Sequence, residues 1–486
     1  MNISSSLEHS LSEIRELFGN SDDLNIVRFE ASGIKCAVLT LEAMTSSGDL
    51  SKMLFSPLMD FKKLLAEPRD VYNFLTRKGI FSTESKPLRT YSDVSERLCS
   101  GFAVVLINGE RRGVAFGAQG FKTRSISEPT TENNIKGCME ALSDNLKTSM
   151  SLIRRRLKTP KLRFETLKAG KLSQTDLAIT YISGKAPESL VSEVRSRLQE
   201  IELDLISGTG CLEPFLSGTQ GSFFSGCSTT ERPDTLAAKI NEGRIAVLID
   251  GVPFAVVVPA LFMENFQAVD DYEEKPYFAF LQRLLRYLSF LMAGFLPGIY
   301  LAATIHHPEI LAKTIMTNLI TSEEDTPFPL MLEMVIVVVL FEIMREAGLR
   351  LPKAVGGAVS IVGGLVIGDA AVTSGLISSP LLIIIGITAT CSFVLPSLNP
   401  QLTALRFIGI FAGGLAGFFG MAVFSLVILV NASATDCLSV PYLSPAAPFT
   451  LKATRDLLWR AGYRRMQKHR VTVESLNGSG GIDENS

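Results

Sequence analysis

Charge is scarce in one long stretch of this sequence. Of the chain's 47 Lys/Arg and 49 Asp/Glu, residues 287–450 hold only five and nine. Apolar residues make up 47% of the 486, so a wholly soluble, single-domain protein is excluded. Histidine is rarer still: there are four, and no G-x-x-x-x-G-K-S/T, G-x-S-x-G, H-E-x-x-H or calcium-loop pattern occurs. With no phosphate cradle, nucleophile elbow or metal-binding helix, the sequence predicts no enzyme, no cofactor and no metal centre. The seven cysteines are scattered and never spaced as C-x-x-C, which argues against zinc sites and a disulfide framework and fits reduced thiols. A net charge of −2 supplies no basic field to gather nucleic acid. A cleavable signal is missing too, since Met1–Gly19 reads as an acidic amphipathic helix with Leu7, Leu11, Ile14 and Leu17 on one face. The hydrophilic part is therefore expected to stay cytoplasmic.

What remains is an α/β pattern followed by apolar runs. Alternation over Ile26–Leu41 suggests strands broken at Gly33, and a helical region runs from about Ser56 to Lys78. Residues 99–121 read as a hairpin about Asn108-Gly109. A related stretch appears at Gly243–Gly251, where GRIAVLIDG aligns with GFAVVLING at Gly101–Gly109; duplication and convergence of two buried hairpins both remain open. Between them, Lys136–Lys158 reads as a helix, Leu162–Leu167 and Asp176–Ile182 as strands, and Pro187–Leu205 as a helix with Val191, Val194, Leu198 and Ile201 on one face. Ser207–Arg232, rich in Gly, Ser, Thr and Pro, reads as a loop. The predicted fold is thus an α/β cytoplasmic N-terminal region of two small subdomains, divided into 1–206 and 207–286, followed by an α-helical polytopic membrane domain over 287–450. A basic and then disordered tail covers 451–486.

Four stretches are apolar enough to span a bilayer: Tyr287–Ile305, Val355–Leu376, Ser379–Leu398 and Leu405–Val430. Pro329–Met344 is shorter and carries Glu333 and Glu342. Basic residues flank both ends of the block, Lys275, Arg283 and Arg286 before it and seven Lys/Arg after it, which favours four crossings with 329–344 dipping into the membrane. Five crossings would return Arg345, Arg350 and Lys353 to the cytoplasm but put the basic tail outside. Prolines 297, 396 and 400 require that freed carbonyls find partners.

Ionisable residues at membrane depth are expensive and mark sites or ion pairs. Glu333, Glu342, Glu346 and Asp369 are the candidate ion-pathway residues, with orienting ion pairs and water-reached span ends as the structural alternatives. Small residues at helical spacing, Gly356, Ser360, Gly364 and Gly368, and again Gly409, Gly413 and Gly417, form candidate helix-packing or oligomer interfaces. Arg154, Arg155 and Arg156 head the main basic run, a candidate for contact between subdomains or with lipid headgroups. His306-His307 adjoin the end of the first span and read as interfacial anchors.

These residues resemble the A subunits of bacterial spore germinant receptors, the GerA family. The resemblance lies in RSISEPTTE (124–132), SLIRRRLKTPKLRFETL (151–167), TERPDTLAAKINEGRIAVLIDGVPFAVVVPA (230–260), PFPLMLEMV (327–335), FEIMREAGLRLPKAVGGAVSIVGGLVIGDAAV (341–372) and VPYLSPAAPF (440–449), and covers about residues 52–455. It implies an integral protein of the inner spore membrane that works with a transporter-like B subunit and a lipoprotein C subunit. It also implies a homo-oligomer of A subunits forming a nutrient-gated, cation-releasing channel. The sequence departs from the family at Cys138, where proline is usual, at Asp369, where glutamine is common, and at PSLNP (396–400). Ion preference is left open by these departures. So is an accessory or non-conducting scaffold role; a secondary transporter would need inverted repeats, which the uneven spans lack.

Overall fold

The computed structural model describes residues 1–51, 54, 67–77, 85–120, 128–132, 134, 136–218, 221–324, 326–351, 368–447, 449, 456–460, 462 and 473. Helix α1 (Leu7–Leu17) buries Leu7, Leu11 and Ile14. Strands β1 (Leu24–Ala31) and β2 (Ile34–Leu41) pair antiparallel in the register Leu24↔Leu41 to Ala31↔Ile34. Helix α2 (Pro68–Arg77) and β3 (Ser85–Leu88) follow, then α3 (Tyr91–Cys99), which is held at its start by a capping box between Thr90 and Asp93. The expected hairpin forms as β4 (Ala103–Ile107) and β5 (Gly113–Phe116). Every residue of both strands is buried, because helices cover the two faces of this five-stranded sheet.

The second unit repeats the first. Helix α4 (Leu146–Arg156) precedes β6 (Leu162–Ala169) and β7 (Thr175–Ile182), then come α5 (Glu188–Gln199), β8 (Ser228–Thr230), α6 (Pro233–Asn241), β9 (Ile245–Ile249) and β10 (Ala255–Val258). The sheet orders are β1-β2-β4-β5-β3 and β6-β7-β9-β10-β8, the same topology twice. The matching hairpins also do the same job. Asn108 Oδ1 accepts from the Leu7 N–H at 3.1 Å and Asp250 Oδ1 from the Leu146 N–H at 3.0 Å, each satisfying a first-turn amide of the helix that opens its unit. The following glycines, Gly109 and Gly251, stand at φ 89° and 82° and donate to the Ser5 and Asp144 carbonyls. A shared topology with a shared capping contact supports duplication over convergence.

Several expectations are corrected by this topology. The division at 206/207 falls inside the second unit, because β6 and β7 hydrogen-bond into one sheet with β9 and β10. Ser207–Arg232 is not one loop between subdomains: it carries the edge strand β8 and a short helix, Glu213–Leu216. The helix expected over 136–158 begins only at Leu146, where the Asn145 side chain accepts from the Thr148 N–H. Its upstream stretch is held extended by Arg232, which donates to the Glu132 and Cys138 carbonyls. The helix expected over 187–205 stops at Gln199.

The helical unit starts with α7 (Pro276–Leu301), which ends in a π-helical turn over Ala302–His306. Helices α8 (Lys313–Glu324), α9 (Leu330–Arg350), α10 (Ser379–Phe393) and α11 (Asn399–Ala434) follow. Most of the expected span Val355–Leu376 lies outside the described residues. The expected span 379–398 is only 15 residues of helix, because Pro396 forces Leu395 out of helical geometry and a 3-10 turn follows. The stretches Pro276–His306 and Pro396–Ala434 are long and apolar enough to cross a membrane.

The largest departure lies in α11, expected as one span. At Gly417 the backbone leaves helical geometry, φ 61° and ψ −145°, and the chain folds back on itself. In a straight helix residues 409 and 424 would stand about 22 Å apart. Instead the Phe424 ring lies 3.2 Å from where a Cβ on Gly409 would sit, and a Cβ on Gly420 would overlap the Ala412 carbonyl. The stretch is a helical hairpin with limbs 399–416 and 418–434. One end of it meets the second α/β unit, where Ser222 and Phe223 bond Asn431 at 3.1 Å; at the other, Pro396 to Gln401 line a cavity shared with Glu132 and Arg232.

Candidate functional site

Proline 297 sits inside α7 and cannot donate to the carbonyl of Ala293, four residues back. Arg406 supplies the missing donor through Nε at 3.3 Å. This arginine is 1% exposed, and its guanidinium continues to Glu342 Oε1 at 3.0 Å. Arg345 pairs with the other oxygen of Glu342 at 2.5 Å and donates to Asn399 Oδ1 at 2.7 Å. Three helices are thus pinned at the end of the bundle nearest the α/β units by one carboxylate between two guanidinium groups. The sequence draws attention to the acid and passes over Arg406 at the start of an apolar run; a proline and an arginine on separate apolar helices are the signal.

The four candidate acids do not converge. Glu342 is consumed by its two arginines. Glu346 pairs with Arg350 at 2.6 Å on an exposed face, and Asp369 is exposed in the short helix Gly368–Thr373. Glu333 lies buried in the first turn of α9, at the end of the bundle away from Arg406.

The glycine ridge of α11 faces inward, against the same chain. Gly409 and Gly413 meet Gly294 and Gly298 of α7 so closely that a Cβ at 413 would overlap the Gly298 carbonyl, and Gly417 packs against the His306 ring. His306 Nε2 lies 2.9 Å from the Gly414 carbonyl, which the reversal frees from its helical donor; that contact requires the Nε2–H tautomer. Gly368 lies near Leu382 of α10, while Gly356, Ser360 and Gly364 lie outside the described residues.

Where the α/β part meets the helices, a second charged network is buried. Asp271 and Arg283 are fully buried and pair at 3.0 Å. Arg286 adds 2.8 Å to the same carboxylate, Arg283 reaches Asp456 at 2.9 Å, and Arg460 donates to the Asp271 carbonyl at 2.6 Å. Tyr272 donates to Asp456 at 2.7 Å, and burial together with that carboxylate pushes its hydroxyl pKa far above the ordinary phenol value. The lead-in, the base of α7 and the segment after 455 are therefore one polar knot, beside a cavity of about 1080 Å³.

Within the α/β part, Arg154 joins the two units. It is buried and pairs with Asp23 at 2.6 Å, while Ser21 donates to Asp23 and accepts the Phe164 N–H. Arg155 and Arg156 instead pair with Glu140 beside Cys138. Burial keeps Arg154 from lipid headgroups.

Known proteins share this sequence along most of its length. The family described as Bacillus/Clostridium GerA spore germination protein matches residues 12–472. The chain is 33% identical over 476 residues to spore germination protein KA of Bacillus subtilis (strain 168), covering 97% of this chain and 87% of that one. It is 32% identical to the uncharacterized membrane protein YfkQ of the same organism, over 99% of this chain and 93% of that one. Spore germination protein GerLA of Bacillus cereus is 32% identical, over 94% and 92%. A solved structure, the N-terminal domain of the A subunit of the Bacillus megaterium spore germinant receptor GerK3, matches with TM-score 0.43 at 25% identity, over 54% of this chain and 98% of that one.

Proposed function

The chain belongs to the GerA family of spore germination proteins, and from that premise we propose that it is the membrane subunit of a nutrient germinant receptor, oligomerising into a channel that releases cations when a germinant is sensed. In this reading α7 to α11 lie in the inner membrane of the spore. The two α/β units and the segment after α11 share its cytoplasmic face, since the hairpin returns the chain to the side it left. In this reading Arg345 at the near end of α9 and the basic tail both face the cytoplasm, as the bias of basic residues favours. A transporter-like B subunit and a lipoprotein C subunit are the expected partners.

One observation carries the reading. The second α/β unit is bonded to one end of a hairpin whose tip touches the far end of α7, through Ser222–Asn431 and Ser222–Thr435 at 2.6 Å, and shares a cavity with the other end at Pro396 to Gln401. A displacement of that unit against a neighbouring subunit would act on the bonded end of the hairpin. With Gly409 and Gly413 used inside the chain, contacts between subunits and with lipid fall to outward residues such as Leu415, Phe419 and Leu426.

The test is electrical. Receptor reconstituted with its B and C partners in liposomes is expected to pass rubidium on addition of germinant, and a polar substitution at Phe419 is expected to alter assembly or leak. A receptor that binds germinant and assembles but passes no cation would favour the non-conducting scaffold.

A further inference from the structure

Four oxygen atoms from four segments stand buried and without a hydrogen-bond partner at the end of the helical unit away from the α/β units. They are the Tyr300 hydroxyl on α7, Glu323 Oε1 on α8, Glu333 Oε2 on α9 and Ser378 Oγ at the start of α10. Glu333 is 1% exposed and Ser378 3%. The other oxygen of Glu333 accepts the Ser378 N–H, which places the serine hydroxyl beside the carboxylate. Ser378 occupies the N-cap position of α10, yet its hydroxyl caps nothing. Tyr300 lies within electrostatic reach of both acids, and Glu323 of Glu333. Among the described residues, neither acid has a Lys, Arg or His partner.

We propose that these four oxygens form a coordination site for a hard metal cation that ties the far ends of α7, α8, α9 and α10 together. Glu333, fully buried, and Glu323, half-buried, have no counter-charge among the described residues, and a bound cation lowers the cost of keeping them in an apolar bundle. A proton shared between the acids would still leave the Ser378 hydroxyl unpartnered, whereas a cation could engage it together with the acids. The donor set is oxygen only, with no imidazole or thiolate, so it suits sodium, potassium, calcium or magnesium rather than zinc or copper. Composition could not reveal the site, because Tyr300, Glu323 and Ser378 sit in three separate segments.

The site does not depend on conduction. Binding is read on the solubilised chain and conduction on the reconstituted receptor, so either reading can fail without the other. Full-length protein in detergent micelles is titrated by equilibrium dialysis with radioactive sodium, rubidium and calcium, and with magnesium as competitor. Saturable binding of one of these at one ion per chain is expected, and the preferred ion tells a monovalent from a divalent site. Glu333→Gln and Glu323→Gln should each weaken it by about tenfold or more, and Ser378→Ala and Tyr300→Phe by a smaller factor. Glu346→Gln, on the exposed Arg350 pair, should leave it unchanged. Absence of saturable binding to the unsubstituted chain overturns the proposal, as does binding that survives both glutamine variants. If the acid variants fail to purify, unaltered affinity in Ser378→Ala and Tyr300→Phe together overturns it too.

Discussion

Replacing Gly417 by alanine tests the reversal directly. A side chain at φ 61° and ψ −145° costs about 1–3 kcal/mol, because that region is open essentially to glycine alone. The new Cβ would also lie 3.0 to 3.3 Å from three atoms of His306, so the imidazole must move. Moving it forfeits the contact with the Gly414 carbonyl, worth about 1 kcal/mol. The expected loss is about 2–4 kcal/mol, read as loss of helical circular dichroism during titration of the micelle-bound chain with sodium dodecyl sulfate. The same geometry fixes sidedness. A straight helix of 36 residues would be about 54 Å long, far more than the hydrocarbon of about 30 Å, whereas each limb of the hairpin is about 26 Å. In a chain with its native cysteines replaced by serine, Ser397→Cys and Ser433→Cys should react with an impermeant maleimide from one face of sealed vesicles, and Lys313→Cys from the other. Labelling of positions 397 and 433 from opposite faces would refute the hairpin, as would an alanine variant as stable as the parent.

Two further outcomes follow from the α/β units. Asp23 and Arg154 are a buried pair, so Asp23→Asn or Arg154→Gln alone should cost about 3–5 kcal/mol. In a double-mutant cycle under denaturant the combined variant should lose clearly less than the two losses added, and strict additivity would argue against the contact. Glu231 is buried, which by itself raises its pKa, but N–H groups of Thr131 and Glu132 and the Thr131 hydroxyl outweigh that and hold its carboxyl below the usual range. A lowered folded-state value stabilises the protein above the unfolded pKa and is lost as pH falls through the folded one. Glu231→Gln should therefore be less stable than the parent at neutral pH, with the gap closing as both are denatured at progressively more acid pH. A gap that widens on acidification would reverse the sign of the argument.

How far these features are legible in the sequence depends on how local their causes are. The pairing of β1 with β2 and of β4 with β5 follows from alternation and short turns, and both are visible in the residues themselves. The hairpin in α11 is not, because its two limbs are equally apolar. Gly409, Gly413 and Gly417 share a four-residue spacing, so a pattern reading assigns the reversal glycine to the same packing ridge as its neighbours. Only the tertiary contacts of Phe424 and Gly420 separate the roles. The second unit's boundary was obscured for a related reason: β8 is three residues long, and the stretch before it has the composition of a loop, so the edge strand disappears into its surroundings. Arg406 was hidden by function rather than by pattern, since its partner is a backbone carbonyl that becomes free only because of a proline on another helix.

Duplication explains why the two α/β units resemble each other and also isolates what makes them different. Both use an Asn or Asp in the β4–β5 or β9–β10 loop to cap their opening helix, so that contact belongs to the shared architecture and not to a task peculiar to either. The departures are concentrated in the second unit. The segment before β8 supplies Ser222 and Phe223 to the hairpin, and Phe262, just beyond β10, donates its N–H to the Tyr442 carbonyl at 2.9 Å, where the chain has returned from the hairpin. Cys437 and Val440, from that returning segment, even complete the second unit's own core. A body whose core includes residues from beyond the hairpin cannot rotate freely on the helices, whereas the first unit is joined to the second through polar contacts that include Asp23–Arg154, Glu42–Lys147 and Asp22–Thr166. A displacement of the first unit therefore reaches the hairpin by way of that junction, and loss of Asp23–Arg154 should loosen the first unit on the second while leaving the helical unit folded.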